Sequence, residues 1–160
     1  MSDDWDERIG TFWREASDID EQPTLSALRV LIDERPADDA ASVFEWASVH
    51  DFLGHEAEAI PLYRRALSLG LDETRRSKAQ IQLASSLRNL GDASEAIRIL
   101  EGMESGGNTG DAQQAFLALA LFDAGRSGDA LRVALMALGK TLPRYGGAIT
   151  YYAGELSSKK

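Results

Sequence analysis

The sequence predicts an all-α protein, a right-handed α-α superhelix of about three helix pairs with an N-terminal helix pair before them and a C-terminal capping helix after them. Three observations carry that expectation. Gly54, Gly91 and Gly125 recur at separations of 37 and 34 residues, alanine returns in step with them, and the apolar residues near both ends fall at helical spacing. A fixed period of this length sets the architecture, because each unit is one helix–turn–helix that buries its apolar face only against its neighbours.

Each glycine stands where one helix stops and the next begins, a position whose left-handed backbone angles favour a residue without Cβ. Five residues later come Ala59, Ala96 and Ala130, and seven residues earlier Ala47, Ala84 and Ala118. Small side chains at those places let the ridge of one helix enter a shallow groove on the next. Trp46, Leu83 and Leu117, together with Leu53, Leu90 and Ala124, supply the bulk between helices. Asp92-Ala93-Ser94-Glu95 has the form of a capping box and predicts a helix starting near residue 92.

At the N-terminal end, Trp5, Ile9, Phe12, Trp13 and Ala16 form an apolar stripe. A second helix opens at Pro23 or Thr24, turns Leu25, Leu28, Leu31 and Ile32 one way, and is closed by Pro36. This pair is expected to dock on the first repeat, the alternative being a dimer contact through Trp5 and Trp13. At the other end Leu142, Tyr145, Ile149, Tyr152 and Leu156 make a stripe expected to cover the last repeat. The expected organisation is a single domain: N-terminal helices over 1–36, repeats over 37–71, 72–107 and 108–141, a capping helix over 142–156 and a disordered tail over 157–160. The segment from Gly106 to Gly110 reads as a passive linker between the second and third repeats.

The stretches Asp51 to Leu67 and Gln80 to Gly91, with the alanines and glycines above, carry a more particular signature. The pattern resembles the tetratricopeptide-repeat superfamily, and within it the small bacterial subgroup called tetratrico peptide repeat group 5, over roughly residues 37 to 156. The resemblance implies helix pairs whose first helices line a concave face, and a non-enzymatic scaffold that binds a protein or peptide there. The chain departs from the family pattern in three places. Three extra residues fall around Gly70-Leu71-Asp72, Met103 stands where alanine is usual, and the closing proline is Leu71, then Asn108, with Pro143 one residue late.

Composition narrows the function classes. Of 160 residues, 44% are apolar and 27% charged, ordinary values for a chain that folds. With no cysteine there is no disulfide framework or thiolate metal site. The acidic start lacks the features of a secretory signal, so cytoplasmic residence is expected, and no apolar run is long enough for a membrane span. A net charge of −9 repels phosphate backbones and argues against nucleic acid. Residues 1–58 hold four Arg and sixteen Asp or Glu, whereas residues 59–160 hold thirteen basic and ten acidic side chains. The acidic end is read first as a solvated face. The basic cluster Arg64, Arg65, Arg75, Arg76, Lys78 and Arg88 balances it, faces water, or takes an acidic ligand.

Offsets from the glycines place Phe44, Ser48, Asp51 and Phe52 on the concave face of the first repeat. They place Ile81, Ser85, Arg88 and Asn89 there in the second, and Ala115, Leu119, Phe122 and Asp123 in the third. This mixture of aromatic, polar and charged groups suits an extended peptide or a helix. Asp51 and Arg88 hold equivalent positions and are expected to pair, and Arg88 is the side chain chosen to meet a ligand carboxylate. The Lys and Asn clamp by which some relatives hold acidic chaperone tails is absent, the corresponding positions being Phe44, Ser48, Gln82, Ala112 and Phe116. His50 and His55 flank a turn rather than sharing one helical face, which argues against a metal site, and no nucleotide-binding motif occurs. No catalytic residue, metal or cofactor is expected. The partner is an unidentified protein or peptide; the alternative is a structural homo-oligomer, such as a homodimer, whose groove or N-terminal helices mediate self-association.

Overall fold

A computed structural model describes residues 4–104 and 110–156 of the chain. Among the described residues there are nine α-helices and no strand. They are α1 (Asp4–Glu15), α2 (Glu21–Ile32), α3 (Ala40–Phe52), α4 (Glu56–Leu69), α5 (Glu73–Asn89), α6 (Ala93–Glu101), α7 (Ala112–Asp123), α8 (Ser127–Thr141) and α9 (Gly146–Gly154). The chain divides into two compact units, Met1–Ala79 and Gln80–Lys160, with the boundary inside α5.

The repeat is written in its turns. Gly54, Gly91 and Gly125 all have positive φ, at 79°, 91° and 76°, and each closes the preceding helix in the same way. The glycine N–H donates to the carbonyl three residues back, on Asp51, Arg88 and Phe122. The next N–H reaches five residues back, to His50, Leu87 and Leu121, at 2.8–2.9 Å. This double closure satisfies carbonyls that a helix end otherwise leaves without partners, and it requires left-handed angles that a Cβ disfavours. Asp92 caps α6 by accepting the Glu95 N–H at 3.0 Å. The Asp92 N–H, which a full capping box gives to the glutamate side chain, is held by Leu87 instead.

In the N-terminal unit α1 packs on α2, α2 on α3, and α3 on α4. Trp5, Ile9 and Phe12 of α1, Leu28 of α2 and Val49 of α3 form one buried cluster, with Trp13, Leu31 and Trp46 against it. Each large apolar side chain so buried contributes about 1.5–3 kcal/mol. Trp5 is 3% exposed and donates its indole N–H to the Leu31 carbonyl at 2.9 Å. Trp13 donates to the buried Glu45 carboxylate at 2.8 Å. Both indole N–H groups are therefore engaged within the chain, with Trp5 buried and Trp13 half-buried. Helix α2 begins at Glu21, earlier than Pro23 or Thr24, and ends at Ile32, short of Pro36.

In the C-terminal unit α6 packs on α7, α7 on α8, and α8 on α9. Gln113, buried at the start of α7, donates to the Leu100 carbonyl at 2.7 Å and the Met103 carbonyl at 3.3 Å, satisfying the C-terminal end of α6. Helix α9 corrects the sequence expectation. Of the expected stripe only part turns inward: Leu142, Ile149 and Leu156 are half-buried, whereas Tyr145, just before the helix, and Tyr152 are 80% and 66% exposed, and the one buried residue of the helix is Ala153. The closest approach to α8 uses small residues, with Gly146 against Gly139 and Thr150 beside the same glycine, and Ile149 packs next to them. Backbones approach there because neither side carries bulk. Of the expected linker only Gly110 falls among the described residues, and the tail 157–160 lies outside them.

Candidate functional site

The turn glycines fix the last turns of α3, α5 and α7, which carry most of the side chains chosen from the sequence. In the N-terminal unit, Phe44 and Ser48 are each only 5% exposed. Phe44 packs against Tyr63 with ring centroids 6.2 Å apart, and the Ser48 hydroxyl donates to the Phe44 carbonyl at 2.9 Å. These two side chains are internal packing, not open surface, because α4 brings Tyr63 across that face of α3. Tyr63, fully buried, donates its hydroxyl to Asp51 at 3.2 Å. Burial first, and then the Asp51 carboxylate, push the phenol far above its ordinary pKa, so it stays a hydrogen-bond donor. Phe52 is half-exposed and meets the Trp13 ring edge-on at 5.9 Å.

In the C-terminal unit Ile81 is buried and Ser85 half-buried, so Ile81 too belongs to the interior. Arg88 places its Nε 2.5 Å from Asp123 Oδ2, joining α5 to α7, and its Nη1 lies 3.5 Å from the Asn89 side-chain oxygen. The Asp51–Arg88 pair belongs to two different units and stays an expectation. Along α7, Gln113, Leu117, Ala120 and Leu121 are buried, whereas Ala115, Leu119 and Phe122 are exposed, the last two at 46% and 63%. An apolar row at spacings of four and three residues thus faces water, ending at the Arg88–Asp123 ion pair. The result is a short apolar ridge with a charged, hydrogen-bonding end.

Sequence reasoning missed two side chains that organise these faces. Tyr63 follows Ala59 by four residues and so shares its inward face, a signal present in the sequence. Glu45 gave no such signal. It is 5% exposed, accepts from Trp13, and lies 3.5 Å from Arg75, which also holds Asp6 at 2.5 Å and Asp72 at 3.1 Å. Arg75 of the basic cluster is thereby engaged by the acidic N-terminal helix. Arg76 donates to the Leu71 carbonyl at 3.1 Å and Arg65 to the Ala37 carbonyl at 2.9 Å.

The histidines meet across the first turn. Their ring centroids are 5.8 Å apart, His55 Nε2 is 3.6 Å from Glu21, and His50 lies edge-on to Trp46 at 5.0 Å. Burial first, and then His55, hold His50 below its ordinary pKa, which keeps it neutral. Among the described residues no group of three or more His, Asp or Glu is arranged to hold a metal ion. None of the helices described is long and apolar enough to cross a membrane.

Helix pairs closed by repeated left-handed glycines define a helical-repeat protein. The Tetratrico peptide repeat family matches residues 40–156, and the chain belongs to that family. Solved structures agree on the fold. The nearly identical TPR-like repeats assigned to a Podosopora anserina kinesin light chain superpose with a TM-score of 0.68 at 18% identity, covering 98% of this chain and 89% of that one. A single-substitution form of the same repeats gives a TM-score of 0.68 and 18% identity over 94% of this chain and 84% of that one. No curated protein matches the sequence. Repeats of this family serve in general as protein-interaction scaffolds without catalysis of their own.

Proposed function

We propose that the chain is a non-enzymatic scaffold that captures a protein or peptide on the α7 ridge beside the Arg88–Asp123 pair. The observation that supports this most is the exposure of Leu119 and Phe122 on a helix whose opposite face is fully committed to packing. Side chains of that size at helical spacing offer the apolar anchor that a partner helix or extended segment buries. Arg88, Asn89 and Asp123 add directional polar contacts at one end. Within the N-terminal unit Asp51 and Phe52 hold the equivalent turn, above the buried Phe44 and Ser48 of the same helix, and within the C-terminal unit Ile81 is buried on α5.

The test replaces Leu119 and Phe122 together by serine and compares captured proteins, by quantitative mass spectrometry, with those held by the wild type and by Leu131→Ser on α8. Loss of the same proteins from the double variant alone, with the helical circular dichroism kept, is the expected result. Identical captured sets for all three forms overturn the α7 site. Self-association is a second reading, favoured by the exposed Leu131 and Leu138 of α8 and Tyr151 and Tyr152 of α9. Light scattering over a range of concentrations separates the two, since a stable dimer that Leu131→Ser with Leu138→Ser dissolves, and the α7 double serine variant does not, assigns the outer face of α8 to a second copy.

A further inference from the structure

Two adjoining depressions lie between α2, the loop after it and α3–α4, all within the N-terminal unit. Each has a volume of about 330 Å³, and they share Arg29, Asp33 and Trp46. Most of the wall that α2 and its loop provide precedes residue 40, where the family match begins, so the family reading supplies no role for it.

The charge of the lining is opposite to that of its surroundings. Residues 1–58 contain only four arginines, yet two of them, Arg29 and Arg35, converge here and are joined by Arg65 from α4. Asp33 is the single carboxylate in either lining. Arg35 is held by Asp39 at 3.4 Å and lies 4.1 Å above the Trp5 ring, so its charge is largely balanced and the positive excess of the lining rests on Arg29 and Arg65 beside Asp33. The other two keep donors in reserve. Arg29 sits 5.4 Å over the Trp46 ring and presents Nε to Asp33 at 2.8 Å, while Arg65 uses Nη2 for the Ala37 carbonyl at 2.9 Å. Among the described residues their remaining N–H groups have no protein partner, and neither has the Trp46 indole N–H. Beside these donors the first depression is walled by Leu25 and by Val30, which is 66% exposed, and the second by Val43 and Leu62.

We propose that this track binds a short acidic peptide in extended form. An apolar side chain lies in the Leu25–Val30 depression, and a neighbouring side-chain carboxylate is shared by Arg29 and Arg65 over Trp46. Guanidinium forks and an indole N–H complement a carboxylate, and the positive lining selects against basic sequences. Each depression is at the small end of small-molecule sites, whereas a chain advancing about 3.3 Å per residue reaches from one into the next. The site stands apart from the α7 ridge: its residues belong to the other unit, and it does not depend on that reading.

Binding of the end-blocked peptide acetyl-Glu-Leu-Glu-Leu-Glu-amide to the full chain is measured by calorimetry, with indole N–H resonances followed by NMR. Perturbation of the Trp46 indole is expected, along with affinity that falls about tenfold in Arg65→Gln and likewise in Trp46→Phe. Arg98→Gln, a change at an exposed arginine of α6, leaves affinity unchanged, and so does the Leu119 and Phe122 double serine variant. Equal affinity for the glutamine counterpart of the peptide overturns the proposal. So does binding that survives both Arg65→Gln and Trp46→Phe, or the absence of binding by the wild type.

Discussion

In the N-terminal unit Trp5, Ile9 and Phe12 of α1 are each at most 9% exposed, and the arginine facing them, Arg75, is tied to Asp6, Glu45 and Asp72. In the C-terminal unit Leu131, Leu138, Tyr145, Tyr151 and Tyr152 stand 50–80% exposed on α8 and around α9. The contrast bears on what the acidic half is for. Its carboxylates close the attachment of an extra helix pair, whereas the exposed leucines and tyrosines of α8 and α9 lie in a unit whose eight basic and eight acidic side chains balance.

Truncation of a core residue gives the largest test of that contrast. Leu28, fully buried in the α1–α2–α3 cluster, leaves a cavity as alanine, and Leu28→Ala is expected to lower unfolding free energy by about 2–5 kcal/mol. Leu138→Ala, removing the same atoms from a half-exposed site on α8, should change it by no more than about 0.5 kcal/mol. Urea unfolding of the two variants measures both values. Similar losses would show that the outer face of α8 is packed in solution, and the contrast would fail.

A smaller effect separates two adjacent glycines of α9. A Cβ at Gly146 runs into the Gly139 carbonyl oxygen, whereas one at Gly147 meets nothing within 4 Å. Gly146→Ala therefore forces α9 away from α8, at a cost of about 1–3 kcal/mol. Gly147→Ala improves helix propensity and stabilises by at most about 1 kcal/mol. Protease cutting near Thr141 should accelerate for the first variant alone. Equal cutting of both would mean that α9 is not seated through its small residues.

These cases show where the sequence was legible. Gly54, Gly91 and Gly125 could be read because a left-handed turn tolerates few other residues, so residue identity reports backbone geometry directly. Ala47, Ala59, Ala84 and Ala96 could be read because close helix approach excludes bulk, and all four are buried. The surface was less legible. Counting from a glycine gives the helical face of Phe44, Ser48 or Ile81, yet not whether a neighbour covers that face. The same limit holds at α9, where the expected inward stripe keeps Ile149 beside Gly139 but leaves Tyr145 and Tyr152 exposed. Trp46, expected as interior bulk, is a half-buried wall because its partners come from α2 across irregular connections. Arg88 and Asp123, chosen singly, proved to be one ion pair, a pairing that needs the distance between α5 and α7.

The finest distinction lies in the junction that holds α1, where Glu45 is a buried carboxylate. Burial raises its pKa above 4.5, and the bonds from Trp13 and Arg75 offset only part of that rise. A carboxyl whose folded pKa is raised favours the folded state below its unfolded value, near 4.5, and that contribution fades as pH climbs through the folded value. Glu45→Gln keeps an acceptor for the Trp13 indole and removes the ionisation, while Arg75 retains Asp6 and Asp72. The variant should match the wild type near pH 4 and become the more stable of the two as pH approaches neutrality. Glu45→Ala leaves the indole N–H without its acceptor and should lose about 1–3 kcal/mol at either pH. Urea midpoints for the three proteins at pH 4 and pH 7 decide the matter. A wild type more stable than Glu45→Gln at pH 7 would mean that Arg75 outweighs desolvation, making the ionised carboxylate the clasp of the N-terminal helices.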